Sequence, residues 1–194
     1  MAYAATAPSL PDRMMRAARL NVDLFEEVEA DTRATTQALT VVVIVSIASG
    51  IAGALAGMNQ SASGAVGGLI GGIISALIGW AVWSYVIYLV GTRLFGGTAT
   101  WGEVLRTLGF AESPGVLLIL SFIPILGAVV GFVVGIWMLV ASFIATRQAL
   151  DISNGKTIAT IIVGVLALIV VVAIISAIFG AVFGVGYMLG AGMR

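Results

Sequence analysis

The side chains able to do chemistry are few, and they cluster at a handful of places along the 194 residues. Histidine and cysteine are both absent. That removes imidazole and thiolate metal sites, cysteine nucleophiles, histidine general bases and histidine-ligated haem. What remains is a basic triplet (Arg13, Arg16, Arg19), an acidic run (Glu26, Glu27, Glu29, Asp31), the pair Glu103 and Arg106, and scattered serines. Ser46, Ser49, Ser75, Ser84, Ser121 and Ser142 all lie in apolar runs. A hydroxyl there usually bonds its own helix backbone, and none has a base near it in sequence. The sequence therefore predicts no catalytic residue, no metal ligand and no cofactor, and a non-enzymatic protein.

Nine Lys and Arg balance nine Asp and Glu. No global basic field marks the chain for nucleic acid. Hydrophobic residues make up 60% of it and charged residues only 9%, with a mean hydropathy of +1.15. A soluble domain carries about 25% charged residues. So depleted a chain could not cover itself in water, and a bilayer is its expected solvent. The fold class expected is all-α, a polytopic bundle of five transmembrane spans with a short third span and an N-terminal amphipathic interfacial helix.

Residues 1–35 read as an N-terminal arm, 36–180 as the membrane domain and 181–194 as an apolar tail. The arm has no apolar stretch of the kind a cleavable signal needs, so the first span is expected to act as an uncleaved anchor. Ser9 and Pro11 suit the first turn of a helix. Arg13, Arg16 and Arg19 recur every three residues beside Met14, Met15, Ala17 and Leu20. The triplet is either a lipid-surface face, worth about 1 kcal/mol per basic residue on an anionic surface, or a solvated face packed over the bundle. Asp23 followed by Glu26 predicts a capping box opening a second helix, LFEEVEADTRATTQ. The acidic run either holds a metal or a basic partner or, more commonly, faces solvent.

Expected spans run over residues 36–57, 65–90, a short segment after Pro114, 126–146 and 158–179. Met58–Gly64 is an expected uncharged loop. Trp80, Trp83, Tyr85 and Tyr88 are expected to form an interfacial aromatic belt. Thr98–Gly109 reads as an amphipathic helix too polar to span, with Glu103 and Arg106 close enough to pair. Pro114 to Ala145 would be about 48 Å of continuous helix, too long for one span, so Ile123–Gly127 is read as a tight turn at Pro124. Arg147–Lys156 closes the pattern as a charged loop. With five spans, every basic residue except Arg194 falls on one side, which puts the N-terminus in the cytoplasm and the C-terminus outside, in the plasma or inner membrane. No ionisable residue is expected inside a span, which argues against a coupled pump.

Glycines spaced by four residues are the other signal. Gly53 and Gly57, Gly68 and Gly72, and Gly127, Gly131 and Gly135 form small-residue faces that let helix backbones approach. They pack either within one bundle or against other copies or a partner subunit.

The stretches RAARLNVDLFEEVEAD, GGTATWGEVLRTLGFAESPGVL, IPILG, GIWMLV and ATRQALDISNGKTIAT resemble bacterial members of the Yip family, multi-pass proteins related to the Ypt/Rab-interacting membrane proteins of eukaryotes. The resemblance covers about residues 13–175 and singles out Trp101, Glu103, Arg106, Pro114 and Pro124 as family-loop positions. It implies five spans, a cytosolic N-terminus and no enzymatic activity. Eukaryotic relatives carry an acidic Asp-Leu-Tyr motif followed by Gly-Pro and bind Rab GTPases. Asp23-Leu24-Phe25-Glu26-Glu27 is the nearest match here and lacks the proline.

The function expected is scaffolding or organisation of a membrane or membrane complex through helix packing. The expected partners are membrane lipids and other membrane subunits or further copies. The alternatives are a channel or transporter for a small neutral solute, or an accessory subunit of an energy-transducing complex.

Overall fold

A computed structural model of the chain describes residues 8–56 and 62–191, with side chains over 8–55 and 66–179. The described residues form seven α-helices and one 3-10 helix: α1 (Leu10–Ala18), α2 (Val22–Ala30), α3 (Ala34–Ala56), α4 (Ala62–Phe95), α5 (Trp101–Ala111), the 3-10 segment Ser113–Phe122, α6 (Leu126–Leu150) and α7 (Asn154–Ala191). Five segments are long and apolar enough to cross a membrane: Ala34–Leu55, Val66–Phe95, Trp101–Phe122, Leu126–Leu150 and Asn154–Phe179. The polytopic all-α expectation holds.

Local chemistry sets the ends of the arm helices. Ser9 caps α1, its hydroxyl accepting from the Asp12 amide at 3.4 Å, with Pro11 in the first turn. Leu20 takes a left-handed conformation, φ 58°, and turns the chain. Asn21 then stands extended and caps α2, its side-chain oxygen accepting from the Leu24 amide at 3.1 Å. The cap is thus Asn21 and not Asp23, because the turn at Leu20 leaves Asn21 as the last extended residue and Val22 is already helical. Asp31 is extended again, ψ 98°, so α2 stops there and the predicted helix LFEEVEADTRATTQ is split before α3.

The third segment departs most from expectation. α5 does not lie apart from the bundle. Glu112 keeps right-handed helical angles, and α5 runs directly into the 3-10 segment. Together they are the most buried of the five apolar segments. The apolar stretch after Pro114 is short, as expected. It reaches membrane length by adding α5 and by the steeper rise of a 3-10 helix, about 2 Å per residue. α5 touches α1, α2, α3, α4 and α6, which makes it the hub of the polar end of the bundle.

At the far end the chain reverses at Ile123–Gly127. The Leu126 amide donates to the Pro124 carbonyl and the Gly127 amide to the Ile123 carbonyl, both at 2.7 Å, with Ile125 at φ 65°. A Cβ on Gly127 would run into the Ser121 carbonyl, so this glycine serves the turn itself. At the polar end the expected charged loop shrinks to three residues. Arg147 belongs to α6 and Lys156 to α7, and Asp151 turns the chain at φ 52°. Residues 58–61 of the expected loop Met58–Gly64 lie outside the described residues, and Ala62–Gly64 belong to α4. α7 continues through most of the expected tail, to Ala191.

Candidate functional site

The basic and acidic runs of the arm meet each other. Arg13 is 2% exposed. Its Nε donates to Glu27 Oε1 at 2.9 Å, Nη1 to Gln37 Oε1 at 2.7 Å and Nη2 to Asp31 Oδ2 at 2.9 Å. Arg16 donates to the other Glu27 oxygen at 2.6 Å. One guanidinium therefore ties α1, α2 and the first turn of α3 together. Burial alone would raise Glu27, but hydrogen bonds from Arg16 and Arg13 outweigh it and hold the carboxyl below its usual range. Arg13 and Arg33 pull Asp31 down to about 2. Of the three lipid-surface candidates, only Arg19 is exposed; Arg13 is enclosed because Glu27 and Asp31 neutralise it internally. Trp137, in the middle of α6, donates its indole N–H to the Ala18 carbonyl at 2.7 Å and seats the end of α1 against that helix.

Glu103 and Arg106 do not pair. Glu103 closes a capping box with Thr100, accepting the Thr100 amide at 2.6 Å. Arg106 is buried and reaches the last turn of α2 instead, donating Nε to the Val28 carbonyl at 2.9 Å and Nη2 to the Glu29 carbonyl. A cation on those carbonyls satisfies groups the helix end leaves open and suits its dipole. Around them Glu26, Glu29, Glu103 and Asp151 converge from two helices and a turn. Gln148 donates to Glu26, and Thr98 donates to Asp151 at 3.2 Å. One Glu29 oxygen is buried without a partner. Burial, then the nearby charges of Asp151, Glu26 and Glu103, raise the Glu29 carboxyl to about 7. No group of three or more such residues among those described is arranged to hold a metal.

The aromatic residues are not a simple belt. Tyr85 is exposed and meets Trp101 edge to face at 5.7 Å. Trp80 and Trp83 turn inward. The Trp80 indole donates to the Leu105 carbonyl at 3.0 Å and lies against Gly109. Both line a cavity of about 590 Å³ between α3, α4, α5, the 3-10 segment and α6. Ser46, Ser49 and Ser142 contribute hydroxyls to its wall, and Glu112 contributes the one carboxylate. Glu112 makes no side-chain hydrogen bond or ion pair with any described residue. This corrects the expectation of spans free of ionisable groups. That expectation began the third span at Pro114, whereas the segment long and apolar enough to cross, Trp101–Phe122, also takes in Glu112, Arg106 and Glu103. The periodicity that marked α5 as amphipathic was genuine, but its polar face is turned onto α2 and the cavity.

Apart from Gly127, which the Ser121 carbonyl meets, the described residues of the predicted glycine faces are open. A Cβ on Gly53, Gly68, Gly72, Gly131 or Gly135 would meet no heavy atom within 4 Å; Gly57 lies outside the described residues. Close approaches within the chain fall at other glycines. Gly91 and Gly97 receive Leu150, Gly109 receives Ala38 and Trp80, and Gly115 receives Val45 and Met138. Pro114 stands in the first turn of the 3-10 segment beside Gly115, and Pro124 forms the turn. Of the family-loop positions, Trp101, Glu103 and Arg106 thus surround the polar end of α5, and Pro124 stands at the opposite end.

Neither a curated protein nor a solved structure matches the chain. Residues 21–177 match the Yip1 domain, from the asparagine that caps α2 to within α7. That span takes in every segment described above except α1 and the end of α7, and the chain therefore belongs to the Yip1 domain family of multi-pass membrane proteins.

Proposed function

We propose that this protein is a non-enzymatic membrane scaffold that associates with further copies of itself or with partner subunits through the small-residue faces of α4 and α6. The observation that carries this reading is the open space over Gly68, Gly72, Gly131 and Gly135. In lipid there is little hydrophobic drive between helices, and close backbone contact at small residues supplies much of the association energy. Glycine costs a helix about 1 kcal/mol relative to alanine, and a Cβ at these positions would meet no described atom of the same chain within 4 Å. Exposed Val129, Phe132, Val133 and Ile136 flank the α6 glycines and would add packing area.

The proposed setting is the plasma or inner membrane, with the N-terminal arm in the cytoplasm and the C-terminus outside. Arg13, Arg33, Arg93, Arg106, Arg147 and Lys156 share the polar end of the bundle, and a basic end favours the cytoplasmic side. Native electrophoresis of a mild detergent extract tests the association. Wild-type protein should migrate as an oligomer or complex, and Gly131→Leu with Gly135→Leu should shift it toward monomer. Migration of the wild type as a monomer alone would overturn the reading.

A further inference from the structure

We propose that the cavity walled by α3, α4, α5 and α6 is a binding site for a membrane amphiphile with an ammonium head group, the head at Glu112 and the chain along the glycine-lined wall. A carboxylate facing a largely apolar cavity within a membrane-spanning segment is costly unless a proton or a cation meets it. No described residue supplies a cation. Arg106, six residues earlier, is engaged by the Val28 and Glu29 carbonyls. The cations on α4 and α6 are Arg93 and Arg147, both in last turns, and the latter donates to Asn154 at 3.3 Å. α3 carries none.

The shape of the cavity fits an elongated occupant. On α3 its lining runs from Val42 to Gly50, about 12 Å along the axis. Glu112 belongs at the polar end of that path. Gly109, one helical turn before it, touches Ala38, whereas Gly115, one turn after it, touches Val45. Away from Glu112 the α4 wall is Gly72 and Ala76, where missing side chains make the room. The volume lies within the roughly 300–1,000 Å³ range of small-molecule sites. Trp80 lies on Gly109, three residues from Glu112 on the same helical face, and Trp83 follows on α4. Indole faces are good partners for an organic cation. The Ser49 and Ser142 hydroxyls make no hydrogen bond with any described residue and offer donors to oxygen atoms between head and chain.

Native mass spectrometry of the full chain in a neutral saccharide detergent tests the site, with lysophosphatidylethanolamine, lysophosphatidylglycerol and free phosphoethanolamine as probes. The expected result is retention of lysophosphatidylethanolamine at least tenfold better than of either other probe. Glu112→Gln should remove that preference. Gly79→Leu fills the cavity from a position with open space outside the proposed association face, so it should fold normally and lose binding while Glu112 is intact. Equal retention of the two lysolipids, or wild-type retention by both variants, overturns the proposal. Binding of free phosphoethanolamine as tightly as the lysolipid overturns the membrane amphiphile as occupant in favour of a soluble ammonium compound. Because the readout is binding to a single chain, failure here leaves the association through α4 and α6 untouched, and failure of association leaves this site untouched.

Discussion

Arg106 on α5 and Val28 on α2 are 78 residues apart in sequence and joined by a 2.9 Å hydrogen bond from guanidinium to backbone carbonyl. Arg106 thus latches the N-terminal arm to the hub of the bundle. Removing it leaves the Val28 and Glu29 carbonyls without their donor at a buried contact. Arg106→Ala should cost about 2 kcal/mol. Lysine, lacking the planar fork, should recover only part of this. Hydrogen exchange should show α2 opening first; uniform protection across α2 in the Arg106→Ala protein would contradict the latch.

Arg13 should be the more damaging site within the arm. It is buried against two carboxylates, and removing one partner of a buried pair typically costs about 3–5 kcal/mol. Partial exposure of Glu27 and Asp31 favours the lower end of that range. Arg13→Gln should destabilise α1 and the start of α3 together, and Arg19→Gln should change neither, since Arg19 is exposed. Differential scanning fluorimetry of the two variants in one detergent separates these outcomes.

How much of this was legible in the sequence differs from residue to residue. Ser9 with Pro11, and the turn at Pro124, were readable because caps and turns are decided by neighbours in the chain. The apolar segments were readable because length and hydropathy are local as well. The partners of Arg13 and Arg106 were not. Each arginine had an acidic residue nearby in sequence, but α1 folding back on α2 and the burial of α5 created better partners at a distance. The four-residue spacing of glycines marks Gly127, which the Ser121 carbonyl meets, as readily as Gly131, which has open space, and it does not mark Gly109, which is filled. Glu112 falls outside the expected spans because the third is expected to begin at the proline. A carboxylate at the boundary between a polar helix and an apolar run is a signal that could have placed it within the segment.

Stability of the polar end should depend on pH in two opposite ways. Glu29 titrates near 7 in the fold against an ordinary value of 4.5. At pH 6 the folded protein holds a proton there that the unfolded chain has released, so raising the pH from about 4.5 to about 7 works against folding. Asp31 is lowered from 3.8 to about 2 by hydrogen bonds from Arg13 and Arg33. Its contribution is present above pH 3.8 and is lost as pH falls through about 2. Glu29→Gln should abolish the decline between pH 5 and 7 and leave the acid limb in place. Thermal unfolding from pH 2 to 8 checks both limbs, and an unchanged decline in the variant would remove Glu29 as its source.

Two glycines give opposite expectations for the same substitution. A Cβ on Gly109 would stand 2.8 Å from the Ala38 Cβ and 3.2 Å from the Trp80 ring. The Ala38 methyl cannot rotate away, and Trp80 is held by its bond to Leu105, so the helices must separate. Gly109→Ala should cost about 1–3 kcal/mol as overpacking and should loosen the end of the cavity where Glu112 stands. Gly131 has no atom within reach. Gly131→Ala should leave the single chain as stable or raise its stability by up to about 1 kcal/mol through helix propensity. Any loss there must come from association, so it should grow with protein concentration, whereas the Gly109 loss should not. Unfolding measured over a hundredfold range of concentration distinguishes the two, and a concentration-independent loss at Gly131 would mean that its face is packed within the chain after all.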